Sequence, residues 1–173
     1  GVVGTGGATF PTHVKLMVPK GKSVDALVVN GVECEPYLTA DHRLMLEKTE
    51  HILDGIMIVA QATKPKKIII GVENNKPDAI QALRAAINMA DYPITVEPLK
   101  VKYPQGDEKQ LLKATIGREI PSGKLPIDVG AVVLNVGTAY AIFEAVVLRK
   151  PLIDRVVTVS GEAISTPKNL RVP

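Results

Sequence analysis

The sequence predicts an α/β fold: a Rossmann-like, mostly parallel sheet with helices on both faces, followed by the start of a small β-rich, SLBB-like module. Three observations carry this. Short apolar runs of strand length alternate with longer stretches in which apolar residues recur at helical spacing. The strand-like runs stop on polar or glycine residues, as buried parallel strands do where they meet a loop. After Pro151 the texture changes to Val156, Val157, Val159 and a turn near Pro167, which reads as a first β-hairpin. The expected division is therefore a Rossmann-like domain over 1–150 and the beginning of a β-rich module over 151–173.

The elements follow in order. The chain opens on a glycine loop, Gly4 to Thr12, and Asp25 to Asn30 is the first buried strand. Tyr37 to Thr63 reads as one long helix, capped by Thr39, with Leu44, Leu46, Leu53, Ile56 and Met57 on its apolar face and Gly55 as a point of weakness. Lys67 to Val72 is a second strand. A helix follows, with Asn75 as cap, Pro77 in its first turn, and Ile80, Leu83, Ile87 and Ala90 at helical spacing. Ile94 to Lys102 is strand-like, and the polar turn Tyr103 to Glu108 leads into a helix to Thr115. Gly117 to Val129 is a loop, Gly130 to Asn135 a further strand, and Gly137-Thr138 opens a helix through Val147.

Composition removes several function classes. Of 173 residues 46% are hydrophobic, enough for a real core, whereas aromatics are 3% with no Trp. Stacking platforms for nucleic acid are thus nearly absent. Lys plus Arg is 21 against 18 for Asp plus Glu; the net charge of +3 is small and dispersed, which argues against a nucleic-acid partner. The single cysteine, Cys34, cannot close an internal disulfide or hold an iron–sulfur cluster, which needs about four ligands. No apolar run is long enough to span a bilayer, and no signal-peptide pattern is present. His13, His42 and His51 lack metal-ligand spacing, so no metal site is expected. The chain reads as a piece of a longer protein.

Four strand-to-helix junctions carry unusual side chains: Gly4 to Lys15, Asn30 to Glu35, Gly106 to Glu108, and Asn135 to Thr138. In a parallel sheet such junctions fall along one edge, where ligands bind. The helix N-termini there, and a glycine nest, are suited to phosphate. Each feature also has an ordinary reading. The glycine loop is not a dinucleotide fingerprint, because Thr9 stands where the third glycine would be, and read alone it serves equally as a tight turn. Lys15 could neutralise a phosphate or be an idle surface charge. Glu33 and Glu35 could repel and raise one pKa, or simply be solvated beside Pro36. Asp107 and Glu108 suit the first turn of a helix, and Asn135 could cap the last one with Thr138. Cys34, flanked by two glutamates, has a disfavoured thiolate and is no nucleophile.

Taken together, four blocks resemble a known family. Gly4-Thr5-Gly6-Gly7-Ala8-Thr9-Phe10-Pro11-Thr12-His13-Val14-Lys15-Leu16, Asn30-Gly31-Val32-Glu33-Cys34-Glu35-Pro36 through Arg43, Tyr103-Pro104-Gln105-Gly106-Asp107-Glu108-Lys109-Gln110, and Asn135-Val136-Gly137-Thr138 resemble, in order, the C component of the Rnf electron-transport complex. A wider resemblance is to the flavin- and NADH-binding subunit of respiratory complex I; the cobalamin reductase of propanediol-degrading microcompartments is similar at the same blocks.

The resemblance implies an FMN-binding, NADH-oxidising domain. By position it suggests Gly4, Gly6, Gly7 and Lys15 for the flavin phosphate and ribityl chain. It further suggests Asn30, Glu33, Gly106, Asp107, Asn135 and Thr138 around the flavin, and Phe10, Glu35 and Glu108 toward NADH. No side chain is implied as a catalytic acid or base, since the flavin carries the hydride chemistry. Electrons would leave to 4Fe-4S clusters in the full-length protein, outside this stretch. The implied partners are the other subunits of an ion-coupled complex of the bacterial cell membrane, with this one peripheral on its cytoplasmic side. Three positions depart from the complex I pattern, which has Arg at Thr5, an acid at Val32 and Asn at Leu134. The stretch Ser122 to Pro126 also lacks the aromatic that those relatives place against NADH. Two alternatives stay open: the cobalamin reductase, and a non-catalytic scaffold that has lost its ligand.

Overall fold

The computed structural model describes residues 1–173. Four strands, β1 (Ala26–Gly31), β2 (Lys67–Glu73), β3 (Ile94–Leu99) and β4 (Ala131–Asn135), form one all-parallel sheet in the order β3-β2-β1-β4. The α/β expectation is borne out. β1 sits centrally, pairing with β2 from Ala26–Lys67 to Gly31–Val72 and with β4 from Ala26–Ala131 to Asn30–Asn135. The two asparagines therefore stand side by side at the carboxyl ends of neighbouring strands.

Side-chain alternation along the strands divides the core in two. Leu27, Val29, Ile68, Ile70, Val132 and Leu134 face the larger cluster, covered by α3 (Thr49–Thr63), α4 (Pro77–Ala90) and α6 (Val136–Val146). Ala26, Val28, Ala131 and Val133 face the smaller one, covered by Leu111 and Leu112 of α5 (Glu108–Ile116). Helices thus lie on both faces. The remaining helices are short: α1 (Thr12–Leu16), α2 (Ala40–Glu47) and one 3-10 turn at Pro126–Val129. No helix is long and apolar enough to cross a membrane.

The predicted long helix is two helices. The break is at Lys48 (φ −132°, ψ 30°), where the Thr49 hydroxyl donates to the Met45 carbonyl at 2.5 Å and so competes with the backbone ladder. Gly55 does not bend the second helix. A Cβ built there would lie 2.0 Å from the Ala139 carbonyl oxygen, so glycine is what lets α3 and α6 cross backbone to backbone. His51, one turn earlier on α3, stacks on Phe143 of α6 at 4.4 Å between ring centres.

Other boundaries shift by a few residues. Lys76, not Asn75, is the residue preceding α4, with Pro77 at its first helical position. β3 ends at Leu99 rather than Lys102; it is the edge strand, where Pro98 costs no ladder bond that a central strand would need.

The last elements, β5 (Arg155–Val159) and β6 (Lys168–Val172), form the expected antiparallel hairpin. It is fastened to the start of α2. Thr158 accepts from the Thr39 backbone N–H at 3.1 Å, and Asn169 accepts from the Thr39 hydroxyl at 3.2 Å and donates to its carbonyl at 3.2 Å. Thr39 therefore does not cap α2; its hydroxyl belongs to the hairpin.

Candidate functional site

Three of the expected strand-to-helix junctions, after β1, β3 and β4, lie along the carboxyl edge of the sheet. The glycine loop meets them there but is not such a junction, since no strand of the sheet precedes it and only an isolated Val3–Pro11 bridge flanks it. Asn135 is the hub. Its Oδ1 accepts from the backbone N–H groups of Gly137 (2.8 Å) and Thr138 (3.3 Å), capping α6, and from the Thr5 hydroxyl (2.8 Å). Its Nδ2 donates to Asp41 Oδ2 at 2.7 Å. The Thr138 hydroxyl accepts from the Thr5 N–H at 3.0 Å, so the glycine loop is stitched to the head of α6. On the other side, Asn30 Nδ2 donates to the Gly106 carbonyl at 2.9 Å, and the Gly106 N–H donates to Cys34 Sγ at 3.4 Å. Lys15 Nζ donates to Glu108 Oε1 at 2.5 Å, joining α1 to α5.

Around these contacts lies an open cavity of about 630 Å³, a size that suits a small-molecule site. Gly6, Gly7, Asn30, Glu33, Glu35, Gly106 and Asn135 line it, together with Thr5 and Asp41. Gly4, Phe10, Lys15, Asp107, Glu108 and Thr138 belong to the same edge but do not line this space. Thr138 is buried beneath the glycine loop, Phe10 is exposed with its carbonyl accepting from Gly4, and Asp107 caps α5 by accepting from Lys109 and Gln110.

The helix N-termini expected to be free for phosphate are filled by the chain itself. Asn135 caps α6 and Asp107 caps α5. Glu33, only 8% exposed, spends both carboxylate oxygens on the first turn of α2, accepting from Asp41 N at 2.9 Å and His42 N at 3.1 Å. Unspent donors remain in the glycine loop, where the amides of Gly6, Gly7 and Ala8 reach no backbone carbonyl. Gly7 holds φ +120°, a conformation that side chains other than hydrogen rarely take. Successive unspent amides on a glycine-rich turn are what binding of an anion by the backbone requires.

The electrostatics are mixed. Six carboxylates and three bases line the cavity. The carboxyl held high is that of Asp41: burial pushes it up to about 6, the Asn135 hydrogen bond works against that rise, and the neighbouring Glu33 charge adds to it. The Cys34 thiol is also pushed up, chiefly by burial, which fits an unreactive sulfur.

Two contributors carry no signal in the sequence. Asp41 stands inside the second block, and nothing in its spacing shows that it faces Asn135. Arg155 lies on β5, far along the chain, and its Nη2 donates to the Thr5 carbonyl at 2.7 Å. Through Arg155, Asp154, Val157 and Thr158 the hairpin forms a wall of the cavity.

Residues 1–144 match the family model described as the Nuo51 FMN-binding domain. The chain belongs to that family. It is 52% identical over 99% of its length to the C component of a proton-translocating ferredoxin:NAD(+) oxidoreductase complex from Clostridium ljungdahlii. Identity is also 52% to the C component of a Na(+)-translocating complex of that kind from Acetobacterium woodii, and 46% to that of an ion-translocating oxidoreductase complex from Rhodobacter capsulatus. The expected kinship with these proteins is borne out. The chain spans 37%, 39% and 33% of those relatives' lengths. Its fold matches a chain of an NAD+-reducing [NiFe]-hydrogenase in the H2-reduced state, with TM-score 0.87 and 23% identity over 100% of this chain and 35% of that one.

The family's flavin fits the residues present. The loop offers unspent backbone donors beside a cavity of suitable volume, and two amide side chains, Asn30 and Asn135, are locked in place by hydrogen bonds to their own surroundings.

Proposed function

We propose that the chain is the FMN-binding, NADH-oxidising module of an ion-translocating ferredoxin:NAD oxidoreductase complex, peripheral on the cytoplasmic face of the bacterial cell membrane. The observation that carries this is the cavity itself: the glycine loop, Asn30, Gly106 and Asn135 border one space in a chain so similar to the C component of such complexes.

Bound FMN would supply the hydride-accepting and electron-passing chemistry. The chain's work is binding and orientation. The Gly6 and Gly7 amides would hold the phosphate end, with Gly4 closing the loop through its hydrogen bond to Phe10 and Lys15 supplying charge nearby. Asn30 and Asn135 would present amides along the ring. Glu33, Asp107 and Thr138 would act by fixing the backbone around the flavin, because their polar atoms serve α2, α5 and Thr5. Phe10, Glu35 and Glu108 would meet NADH from the solvent side. Electrons would pass to 4Fe-4S clusters elsewhere in the full-length protein or in a partner protein, since this chain has one cysteine.

The test is the visible spectrum of the full-length protein before and after NADH. A flavin band that bleaches on addition is the expected result. If the protein neither quenches FMN fluorescence nor shows such a band, the domain is a scaffold without its ligand.

A further inference from the structure

Resting on the flavin reading above, one basic residue acquires a role. Six carboxylates line the cavity; Glu47, Glu144 and Asp154 are ion-paired but Glu33, Glu35 and Asp41 are not, so a phosphate ester entering it meets repulsion unless a cation stands where the phosphate sits. Of the three bases lining it, Arg171 is held by Asp154 at 2.6 Å, and Lys48 stands at the break between α2 and α3. Arg155 alone of the three hydrogen-bonds to the glycine loop, and it enters no ion pair. A guanidinium has five N–H donors in a planar fork. The Thr5 carbonyl takes one of them, leaving the others beside the loop whose Gly6 and Gly7 amides are unspent.

We propose that Arg155, delivered by the β5–β6 hairpin, is the phosphate-binding cation of this cavity, sharing its guanidinium between the Thr5 carbonyl and a phosphate oxygen of the bound ligand. The hairpin is then part of the binding site and not merely the start of the next module. Its anchorage on Thr39 through Thr158 and Asn169 sets the position of β5 and hence of the arginine. The same chemistry serves the phosphate monoester of a flavin mononucleotide or the pyrophosphate of a dinucleotide.

The experiment titrates FMN and riboflavin, which lacks the phosphate, into the full-length protein and its Arg155→Ala and Arg155→Lys variants, and repeats the titration with NADH and reduced nicotinamide riboside. The expected result is FMN affinity about tenfold weaker in Arg155→Ala, riboflavin affinity within about twofold, and Arg155→Lys in between, since lysine keeps the charge without the fork. A loss seen with NADH but not with its riboside, and absent for FMN, also supports phosphate binding and assigns it to the dinucleotide. Equal weakening of FMN and riboflavin, or no weakening of any phosphate-bearing ligand, overturns the proposal and leaves Arg155 as a clasp on Thr5. Failure of the wild-type protein to bind either flavin overturns the flavin reading itself, and is recognised without any variant.

Discussion

Asn135 donates from Nδ2 to Asp41 Oδ2 at 2.7 Å, and the same side chain caps α6 through Oδ1. One amide thus ties a largely buried carboxyl to a helix start and to Thr5. Burial raises the Asp41 pKa from 3.8 to about 6 in the folded protein. The folded state then binds the proton more tightly than the unfolded state does. Stability falls as pH rises from about 4 to about 6, by an amount on the order of 3 kcal/mol for a shift of this size. Asp41→Asn keeps an acceptor for Asn135 and removes the charge. Urea denaturation between pH 4 and 7 is expected to show a flatter profile for the variant, which is more stable than the wild type at pH 7. An unchanged slope would mean that Asp41 ionises freely.

Glu33 is an acid with a structural task. Its carboxylate takes the place that Thr39 leaves at the head of α2. Glu33→Ala is expected to cost about 1–2 kcal/mol, in the range of a lost helix cap with a charged acceptor. Glu33→Gln should recover part of it, because the amide oxygen can serve only one of the two N–H groups well. Chemical denaturation measures both, and a Glu33→Gln variant no more stable than Glu33→Ala would assign the effect to packing.

Three strands of the sheet are legible in the sequence because they are apolar runs that close on Asn30-Gly31, Glu73 and Asn135, and such runs need no tertiary context to be recognised. The convergence of the junctions after β1, β3 and β4 follows from parallel topology alone, whereas the glycine loop, which no strand of the sheet precedes, is brought to them by the bonds of Thr5 to Asn135 and Thr138. What the sequence hides is competition for hydrogen bonds. Thr39 reads as the cap of α2 in one dimension and Glu33 does not. That Glu33 acts instead depends on a hairpin arriving more than a hundred residues later to take the Thr39 hydroxyl and on a strand end turning back toward α2. Arg155 and Asp41 are illegible for the same reason: each is one charge among many and acquires meaning only from a distant partner, Thr5 and Asn135 respectively. The Lys48 break is hidden because a threonine that bonds the preceding turn looks, in sequence, like any other helical residue.

Gly55 offers a test of packing. Alanine is the better helix former by about 1 kcal/mol, so propensity alone predicts that Gly55→Ala stabilises α3. The Ala139 carbonyl lies where the new methyl would go, and it is backbone, unable to rotate away. The helices must separate, which costs about 1–3 kcal/mol or more and opens the face that Ile52, Ile56 and Ile142 share. A net destabilisation of about 2 kcal/mol is expected by urea denaturation. A variant that melts higher than the wild type would place α3 and α6 farther apart.

Lys15 and Glu108 hold one another at 2.5 Å with their side chains 28% and 41% exposed. As a pair so open to water, they contribute below about 1 kcal/mol of coupling to stability, which a double-mutant cycle checks. Their importance lies in ligand binding. If Lys15 serves the flavin phosphate, Glu108 competes with that phosphate for the ammonium. Glu108→Gln weakens the competitor and leaves the lysine. FMN affinity is therefore expected to rise several-fold in Glu108→Gln and to fall in Lys15→Ala. If Glu108 also meets NADH, the apparent KM for NADH in Glu108→Gln rises at the same time. Opposite movements of FMN affinity and NADH affinity in one variant separate the two roles, because a general disturbance of the edge would weaken both ligands together. Fluorescence titration of FMN and steady-state reduction of an artificial acceptor by NADH supply the two readings, and a fall in FMN affinity in Glu108→Gln would remove Lys15 from the phosphate site.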